Sequence, residues 1–305
     1  MVLITGGSGY LGGRIATHLE QLGYQVRIGK SVKSDSNGFP IDLTDDHSIN
    51  SACDGISSII HLAAMNAQSC GENPERALLV NSLGTLKLLK AANKNKISKF
   101  LYFSTAHVYG SPLVGEINEE LLPRPVHPYS ITHRVAEDYV IEAVYKTGLS
   151  ARIFRLTNAI GSPIDPQVNC WMLVANDLCR QVVISNSIKV HSDKFLQRDF
   201  IPISSICSVV SSSLNSNVLD GEIVNLSSGI SITLQSLATL IADRSEVVLG
   251  FRPCIDFLSN SIERDKMRGL TISNRKLIDL GFKVDNNLSN EIDQLLLNCN
   301  KWFSN

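Results

Sequence analysis

The first dozen residues constrain the fold of this chain more than any other stretch. An apolar run at positions 2–4 leads into a turn with glycines at 6, 9 and 12, and an amphipathic segment follows over 14–22. A strand, a glycine-rich turn and a helix in this order let backbone N–H groups approach a pyrophosphate, which the positive end of the helix dipole also favours. Glycines also occur in ordinary turns, and the spacing is G-x-x-G-x-x-G rather than G-x-G-x-x-G. We predict a dinucleotide site at Gly6, Gly9, Tyr10, Leu11 and Gly12.

The composition limits the classes of protein to consider. The chain has 305 residues, 44 % of them hydrophobic, which suits one large domain or two coupled ones. A net charge of −1 favours neither nucleic acid nor an anionic membrane as a partner. Because a strand starts at residue 2 and no apolar run is long enough for a bilayer, we expect a cytoplasmic protein without signal peptide or membrane span. The scattered cysteines lack a C-x-x-C pair and the histidines lack metal-ligand spacing, so we predict reduced thiols and no metal site.

Strand-like and helix-like stretches alternate through the first half of the chain. Further strands are predicted at 25–28, 56–62, 99–104 and 151–156, and helices at 75–93 and 129–146. This order predicts an α/β fold with a doubly wound, Rossmann-like parallel sheet that binds ligands at the carboxyl ends of its strands. Beyond residue 157 prolines interrupt the pattern. We predict a dinucleotide-binding domain over 1–160 and a smaller substrate lobe over 161–305, with helices near 233–243 and 288–303 and some segments returning to the first domain.

Two hydroxyl groups are placed to meet beside the cofactor. Thr105 follows the strand at 99–104, and Tyr129 opens the helix at 129–146. Hydride chemistry at a carbinol needs a group that exchanges the proton while a nicotinamide exchanges the hydride. We expect Tyr129 to exchange the proton and Thr105 to orient the substrate oxygen.

Together these motifs resemble the extended short-chain dehydrogenase/reductase superfamily, particularly its NAD(P)-dependent nucleotide-sugar epimerase/dehydratase family. The resemblance covers nearly the whole chain, through positions 105 and 129 and segments at 5–12, 42–43, 61–64, 81–85, 155–161, 197–201, 225–229 and 276–282. It implies a homodimer and a nucleotide-sugar substrate that contacts Asn158. It also implies cofactor contacts at Asp42, Leu43, Leu62, Ala63, Ala64 and Asn81. His61, in the same pattern, is predicted to be a core histidine with its hydrogen bonds satisfied.

A histidine stands where the family has a lysine. The family's Tyr-x-x-x-Lys motif is here Tyr129 and His133, which share a helix face. The lysine holds the nicotinamide ribose, and its charge lowers the pKa of the tyrosine. A histidine is mostly neutral near pH 7, so we expect His133 to hydrogen-bond the ribose with weaker electrostatic help. The alternative is a binding fold that has lost catalysis.

The segment after Thr105 also departs from one branch of the family. In the 4,6-dehydratases Thr-Asp-Glu occupies positions 105–107 and its acidic pair performs the elimination, whereas this chain has Thr105, Ala106 and His107. The loss of both carboxylates argues against dehydration. Some epimerase-reductases of the family carry an acid/base cysteine at this position, and His107 could serve similarly. The alternative is an ordinary loop histidine.

A lysine ends the second strand. NAD-preferring members have an aspartate there that accepts hydrogen bonds from the adenosine ribose, and the corresponding residue here is Lys30. A cation removes the clash with a 2′-phosphate and could bind it, so the sequence favours NADP over NAD. The alternative is a solvated loop lysine.

The sequence thus predicts an NAD(P)-dependent oxidoreductase or epimerase that acts on a nucleotide-activated sugar, as an epimerase or 4-ketoreductase rather than a 4,6-dehydratase. Its predicted catalytic residues are Thr105, Tyr129, His133 and His107. The predicted substrate contacts are Thr105, His107, Asn158, Arg198 and Arg264, the two arginines as phosphate ligands. Two alternatives remain, namely a catalytically weak NAD(P)-binding sensor or scaffold protein and a reductase of a small ketone or aldehyde.

Overall fold

The computed structural model describes residues 1–32, 37–216, 221–259 and 269–304. Its strands are β1 (Val2–Thr5), β2 (Val26–Ser31), β3 (Phe39–Ile41), β4 (Ser58–His61), β5 (Lys99–Thr105), β6 (Gly115–Ile117), β7 (Ser150–Leu156), β8 (Asn158–Ile160), β9 (Ser187–Val190), β10 (Gln197–Pro202), β11 (Ile223–Leu226), β12 (Ser231–Thr233), β13 (Cys254–Phe257) and β14 (Leu270–Ile272). The main sheet has seven strands in the order β11–β7–β5–β4–β1–β2–β3, and all its neighbouring strands are parallel. The prediction of a Rossmann-like α/β fold is confirmed.

The helices follow the strands along the chain. They are α1 (Tyr10–Gln21), α2 (Asp46–Cys53), α3 (Ala67–Glu72), α4 (Pro74–Ala77), α5 (Gly84–Lys94), α6 (Pro128–Thr147), α7 (Val174–Ser185), α8 (Ile203–Asn215), α9 (Leu234–Leu249), α10 (Arg275–Asp279) and α11 (Leu288–Phe303). A π-helical turn (Leu78–Leu83) precedes α5, and a 3-10 turn (Ala106–Tyr109) follows β5. Among the described residues no helix has the length and apolarity that a membrane crossing requires.

Alternating side chains of the central strands build a core on each face of the main sheet. In β1, Ile4 packs with α1 and α8 on one face, whereas Leu3 packs with α2, α5 and α6 on the other. Ile60 and Ile59 of β4 divide in the same way. Because successive side chains of a strand point to opposite faces, a strand buried on both sides must be apolar throughout. This explains the short unbroken apolar runs of the sequence.

The second half of the chain contributes both to a separate core and to the main sheet. Helices α7, α9 and α11 pack together around a third apolar cluster beside the small sheets β12–β10–β8 and β13–β9. In contrast, β11 pairs with β7 at the edge of the main sheet, and α8 packs against α1. Strand β11 and helix α8 thus lie with the main sheet, while the division into two domains at residue 160 stays a prediction.

Candidate functional site

A cleft of about 1230 Å³ lies at the carboxyl ends of β1, β2 and β4. This volume is larger than the roughly 300–1,000 Å³ of ordinary small-molecule sites. The cleft is therefore large enough for an extended ligand. The predicted cofactor residues that line it are Gly6, Gly9, Tyr10, Lys30, Asp42, Leu43, Leu62, Ala63 and Ala64. The fold of the sheet thus brings most of the predicted cofactor residues, which lie between positions 6 and 64 of the sequence, to a single cleft.

The three glycines of the first turn are needed for different reasons. Gly6 has a φ of +69°, and a Cβ on it would lie 3.0 Å from the backbone nitrogen of Ala63. A Cβ on Gly12 would lie 2.7 Å from the Cα of Gly7. Gly9 has an extended backbone (φ −85°, ψ −175°), and the one atom near its Cβ would be the Gly6 carbonyl oxygen, at 3.1 Å. Folding explains Gly6 and Gly12, whereas a ligand close to the backbone best explains Gly9.

The first turn of α1 also fits an anion. No side chain caps this helix, and its first turn carries no acidic residue. Its N–H groups and the positive end of its dipole are therefore left facing the cleft, which suits a phosphate. Leu11 and Gly12, which were predicted beside the cofactor, lie on the half-buried and buried sides of this helix.

A loop of the second lobe forms the opposite wall of the cleft, and sequence reasoning missed it. Residues 164, 165 and 167–169 line the cleft there. The hydroxyl of Tyr10 holds the two walls together, since it lies 2.9 Å from the carbonyl oxygen of Gly161 and 3.0 Å from Oδ1 of Asn176. The only sequence signal for this wall was the pair of prolines at 163 and 166.

The carboxylate of Asp42, which lines the cleft, is held in place by hydrogen bonds within its own turn. Asp42 accepts hydrogen bonds from the hydroxyl (2.6 Å) and the backbone N–H (2.8 Å) of Thr44, and these bonds hold the pKa of its carboxyl below the usual value. Lys30 and Leu43 line the same cleft. Arg76 of α4, which sequence reasoning also missed, adds a cation near Asp42.

Thr105 and Tyr129 meet beside this edge of the sheet. Thr105 is the last residue of β5, and α6 begins at Pro128, with His127 as its N-cap accepting from the backbone N–H of Tyr129. Burial, the largest influence, raises the pKa of Tyr129 to about 12, and a hydrogen bond with the Thr105 side chain acts in the opposite direction. Tyr129 is therefore protonated at neutral pH and suited to donate a proton.

His133 lies against Tyr129 in the interior, with its side chain 3 % exposed. The ring centroids are 4.5 Å apart in an edge-to-face arrangement. Its Nδ1 lies 2.8 Å from the hydroxyl of Tyr102, whereas Nε2 is buried and has no hydrogen-bond partner among the described residues. Burial lowers the pKa of His133 to about 4, so the ring is neutral. An orphaned polar atom beside the predicted acid is consistent with a ligand contact, which itself stays a prediction.

Buried amide and imidazole groups brace the floor of the site. His61 lies 2.6 Å from Oγ1 of Thr5 and 2.9 Å from Oγ1 of Thr85, which confirms it as a satisfied core histidine. Asn81, predicted to contact the cofactor, is 1 % exposed and is used otherwise. It accepts from the backbone N–H of Met65 at 2.8 Å and donates to Oγ1 of Thr132 at 3.0 Å. Asn81 thus supports the cleft from behind, and its contact with a cofactor stays a prediction.

A buried ion pair ties α6 to the sheet below the predicted acid. Glu137 is fully buried, and both its oxygens accept from the guanidinium of Arg155, at 3.0 and 2.8 Å. Ser104 donates to the same carboxylate at 2.6 Å. The pair fixes the face of α6 that also carries His133.

Besides Thr105, the structure describes three of the predicted substrate residues, His107, Asn158 and Arg198. His107, in the 3-10 turn, has an exposed side chain, but the protein around its ring and, after it, the Arg198 cation of β10 lower the pKa of His107. Asn158 donates to the backbone oxygen of Asp199 at 2.8 Å, joining β8 to β10. Arg264 lies outside the described residues. The structure brings His107 and Arg198 together and leaves their roles as predictions.

The family model described as the NAD dependent epimerase/dehydratase family matches residues 2–227. This chain belongs to that family. Among relatives of this family, GDP-6-deoxy-D-talose 4-dehydrogenase of Aggregatibacter actinomycetemcomitans is 27 % identical over 80 % of each chain. The resemblance inferred from the sequence motifs is confirmed.

Solved structures of similar proteins share the fold. RMD from Pseudomonas aeruginosa, complexed with NADPH, superposes with a TM-score of 0.81 at 24 % identity over 98 % of both chains. UDP-glucose 4-epimerase of Thermus thermophilus, complexed with NAD, gives a TM-score of 0.81 at 22 % identity over 98 % of both chains. The shared fold therefore extends beyond residues 2–227 and includes the second lobe.

Proposed function

We propose that this protein is an NAD(P)-dependent enzyme that acts on a nucleotide-activated sugar, as an epimerase or 4-ketoreductase. The observation that carries the proposal is the pairing of Thr105 and Tyr129 at the end of β5, together with the cleft at Gly9, where an added Cβ would meet only one backbone atom, the Gly6 oxygen at 3.1 Å. Membership of the family supports the cofactor and the substrate class.

In this proposal a dinucleotide held in the cleft would supply or accept the hydride, and the protein's own residues transfer the proton. Thr105 holds the oxygen of the reacting carbon, and Tyr129 donates a proton to that oxygen when a ketone is reduced. The reverse reaction needs the phenolate of Tyr129, which burial disfavours. The chain's own residues therefore favour reduction of a ketone over oxidation of an alcohol.

Dehydration is disfavoured because the site lacks the acidic pair that elimination needs. Positions 106 and 107 carry alanine and histidine, and the nearby carboxylate of Glu137 is already bound by Arg155 and Ser104. His107 remains the candidate acid/base for epimerisation next to a ketone. Arg198, its neighbour, is the candidate ligand for the substrate diphosphate.

The cofactor preference and the assembly belong to the same proposal. Lys30 and Arg76, which both line the cleft, favour NADP because two cations suit a 2′-phosphate. The family resemblance supports a homodimer. The scattered cysteines, all free in the described residues, support a reducing cytoplasmic location.

Incubation with a panel of nucleotide sugars and 4-keto nucleotide sugars, in the presence of NAD(H) or NADP(H), tests the proposal. We expect mass spectrometry or chromatography to reveal an epimerised or reduced product from at least one substrate. Solvent deuterium incorporated into the product would indicate epimerisation next to the ketone. Tight cofactor binding with no product from any sugar would instead favour the sensor or scaffold, and turnover of simple ketones alone would favour the small-ketone reductase.

A further inference from the structure

Tyr102 reaches from the middle of β5 to the helix that carries the predicted acid. Its side chain is 3 % exposed and packs with the core beneath α6. Its hydroxyl lies 2.8 Å from Nδ1 of His133, with the two rings tilted and their centroids 6.0 Å apart. None of the functional roles discussed above uses this tyrosine.

The surroundings decide which partner carries the proton in this hydrogen bond. The Tyr102 hydroxyl has no other hydrogen-bond partner among the described residues, and the oxygens of the nearby Glu137 carboxylate already accept from Ser104, Arg155 and Arg134. A buried hydroxyl without an acceptor is destabilising, so the Tyr102 hydroxyl donates to Nδ1 of His133.

This direction fixes the tautomer of the imidazole. His133 is neutral because it is buried, so its ring carries a single proton. With Nδ1 accepting from Tyr102, that proton is on Nε2. This atom is the one that is buried without a hydrogen-bond partner among the described residues, on the ring that contacts Tyr129.

We propose that Tyr102 is a positioning residue that locks His133 as the Nε2–H tautomer. The ring then presents one neutral N–H donor to the cofactor ribose, where relatives with lysine present an ammonium group. The ribose contact rests on the proposed function, whereas the tautomer rests on the geometry of this chain alone.

The tautomer is measured directly by nitrogen-15 NMR of histidine-labelled protein. Long-range correlations between the ring nitrogens and carbon-bound protons show which nitrogen carries the proton, and His133→Gln identifies the signal by its loss. We expect wild-type His133 to be protonated on Nε2, and Tyr102→Phe to shift the ring toward Nδ1–H or a mixture. Tyr109→Phe is the matched control, because it removes another buried hydroxyl, bonded at 2.7 Å to Asn225, and should leave the tautomer unchanged. A wild-type ring protonated on Nδ1, or no change in Tyr102→Phe, would overturn the proposal.

The effect on cofactor binding is tested by a double-mutant cycle with NADP as the probe in calorimetry. We expect Tyr102→Phe to weaken binding by about fivefold, roughly the contribution of one neutral hydrogen bond. In a His133→Lys background the same change should have no effect, because an ammonium group has no tautomers. An equal loss in both backgrounds would show that Tyr102 acts through packing and would contradict the proposal. If wild-type protein bound neither NADP nor NAD, the proposed function would fail, while the NMR result would still decide the role of Tyr102.

Discussion

At the scale of single residues, no cation among the described residues is found to lower the pKa of Tyr129. The pKa of Tyr129 responds to burial, to Cys70 and to Thr105, and the adjacent His133 is neutral. A tyrosine that keeps its proton is ready to protonate a ketone oxygen and poorly prepared to deprotonate an alcohol. The substitution of lysine by histidine was visible in the sequence, but the burial that keeps the histidine neutral was not.

We expect His133→Lys to make alcohol oxidation faster and to move its pH–rate profile to lower pH. A fixed positive charge next to Tyr129 favours the phenolate and lowers its pKa by about one unit or more. The measurement is the pH dependence of kcat/KM for oxidation, with His47→Lys on the exposed face of α2 as the control. An unchanged profile in His133→Lys would argue against an electrostatic role for this position.

Gly9→Ala should weaken binding of the dinucleotide at least about tenfold, or about 1.4 kcal/mol, while the protein stays folded. Its added Cβ would meet only the Gly6 carbonyl oxygen, at 3.1 Å, so the loss comes from the ligand side. Gly12→Ala is the contrasting variant, because its Cβ would lie 2.7 Å from the Cα of Gly7 and should lower the melting temperature. Calorimetry and thermal denaturation of both variants separate the two effects. Unchanged binding in Gly9→Ala would refute the placement of the pyrophosphate.

At the scale of elements, the sequence located five of the seven strands of the main sheet and the helices between them at 14–22, 75–93 and 129–146, but it missed a change in helix type. The predicted helix at 75–93 is observed as α4, a π-helical turn and α5. Periodicity cannot reveal the π turn, because apolar residues continue through it at helical spacing. The turn accompanies the contacts of Asn81 with Met65 and Thr132, which are distant in sequence. Local patterns therefore predicted the central strands and the longest helices, whereas tertiary contacts decided the details of these elements.

Asn81→Ala should destabilise the protein by about 1–3 kcal/mol and weaken cofactor binding. The change leaves the backbone N–H of Met65, a residue lining the cleft, without its acceptor, and it frees α6 at Thr132. Chemical denaturation and calorimetry measure the two effects. Asn95→Ala, which also removes one amide hydrogen bond but lies at the end of α5, should change stability only slightly and binding not at all. Equal behaviour of the two variants would contradict the bracing role of Asn81.

At the scale of the whole molecule, the binding site depends on contacts between distant parts of the chain. Arg14 of α1 forms a bidentate ion pair with Glu291 of α11, with N–O distances of 3.1 and 2.9 Å. Arg14 also donates a hydrogen bond to the carbonyl oxygen of Ser162. These bonds hold the second-lobe wall against the glycine turn. The sequence predicted the first wall from a compact motif, whereas the second wall has no motif and follows only from this long-range packing.

Stability should fall in mild acid because two buried histidines resist protonation. Burial lowers the pKa of His133 to about 4 and that of His61 to about 3. In the unfolded chain the pKa of each histidine is about 6.5. At pH values between the folded and unfolded pKa, the unfolded state binds more protons, so the free energy of unfolding falls as the pH falls. From about pH 7 to pH 5 each histidine should account for a loss of about 2 kcal/mol.

Urea denaturation of wild type, His133→Gln and His47→Gln at both pH values checks this expectation. His133→Gln should lose less stability on acidification than wild type, because the variant lacks the imidazole that takes up a proton on unfolding. His47→Gln, at an exposed position, should follow wild type. Identical losses in all three proteins would contradict the neutral, buried state of His133.

The most direct test of the account follows hydride and proton chemistry at Tyr129. Wild type and Tyr129→Phe are incubated with 4-keto nucleotide sugars and NADH or NADPH deuterated at the transferable position, and mass spectrometry measures deuterium in the sugar. We predict that wild type transfers deuterium to at least one nucleotide sugar, and that Tyr129→Phe binds the cofactor normally but transfers at most about one hundredth as fast, the usual worth of a general acid. Transfer by Tyr129→Phe at the wild-type rate would contradict the account.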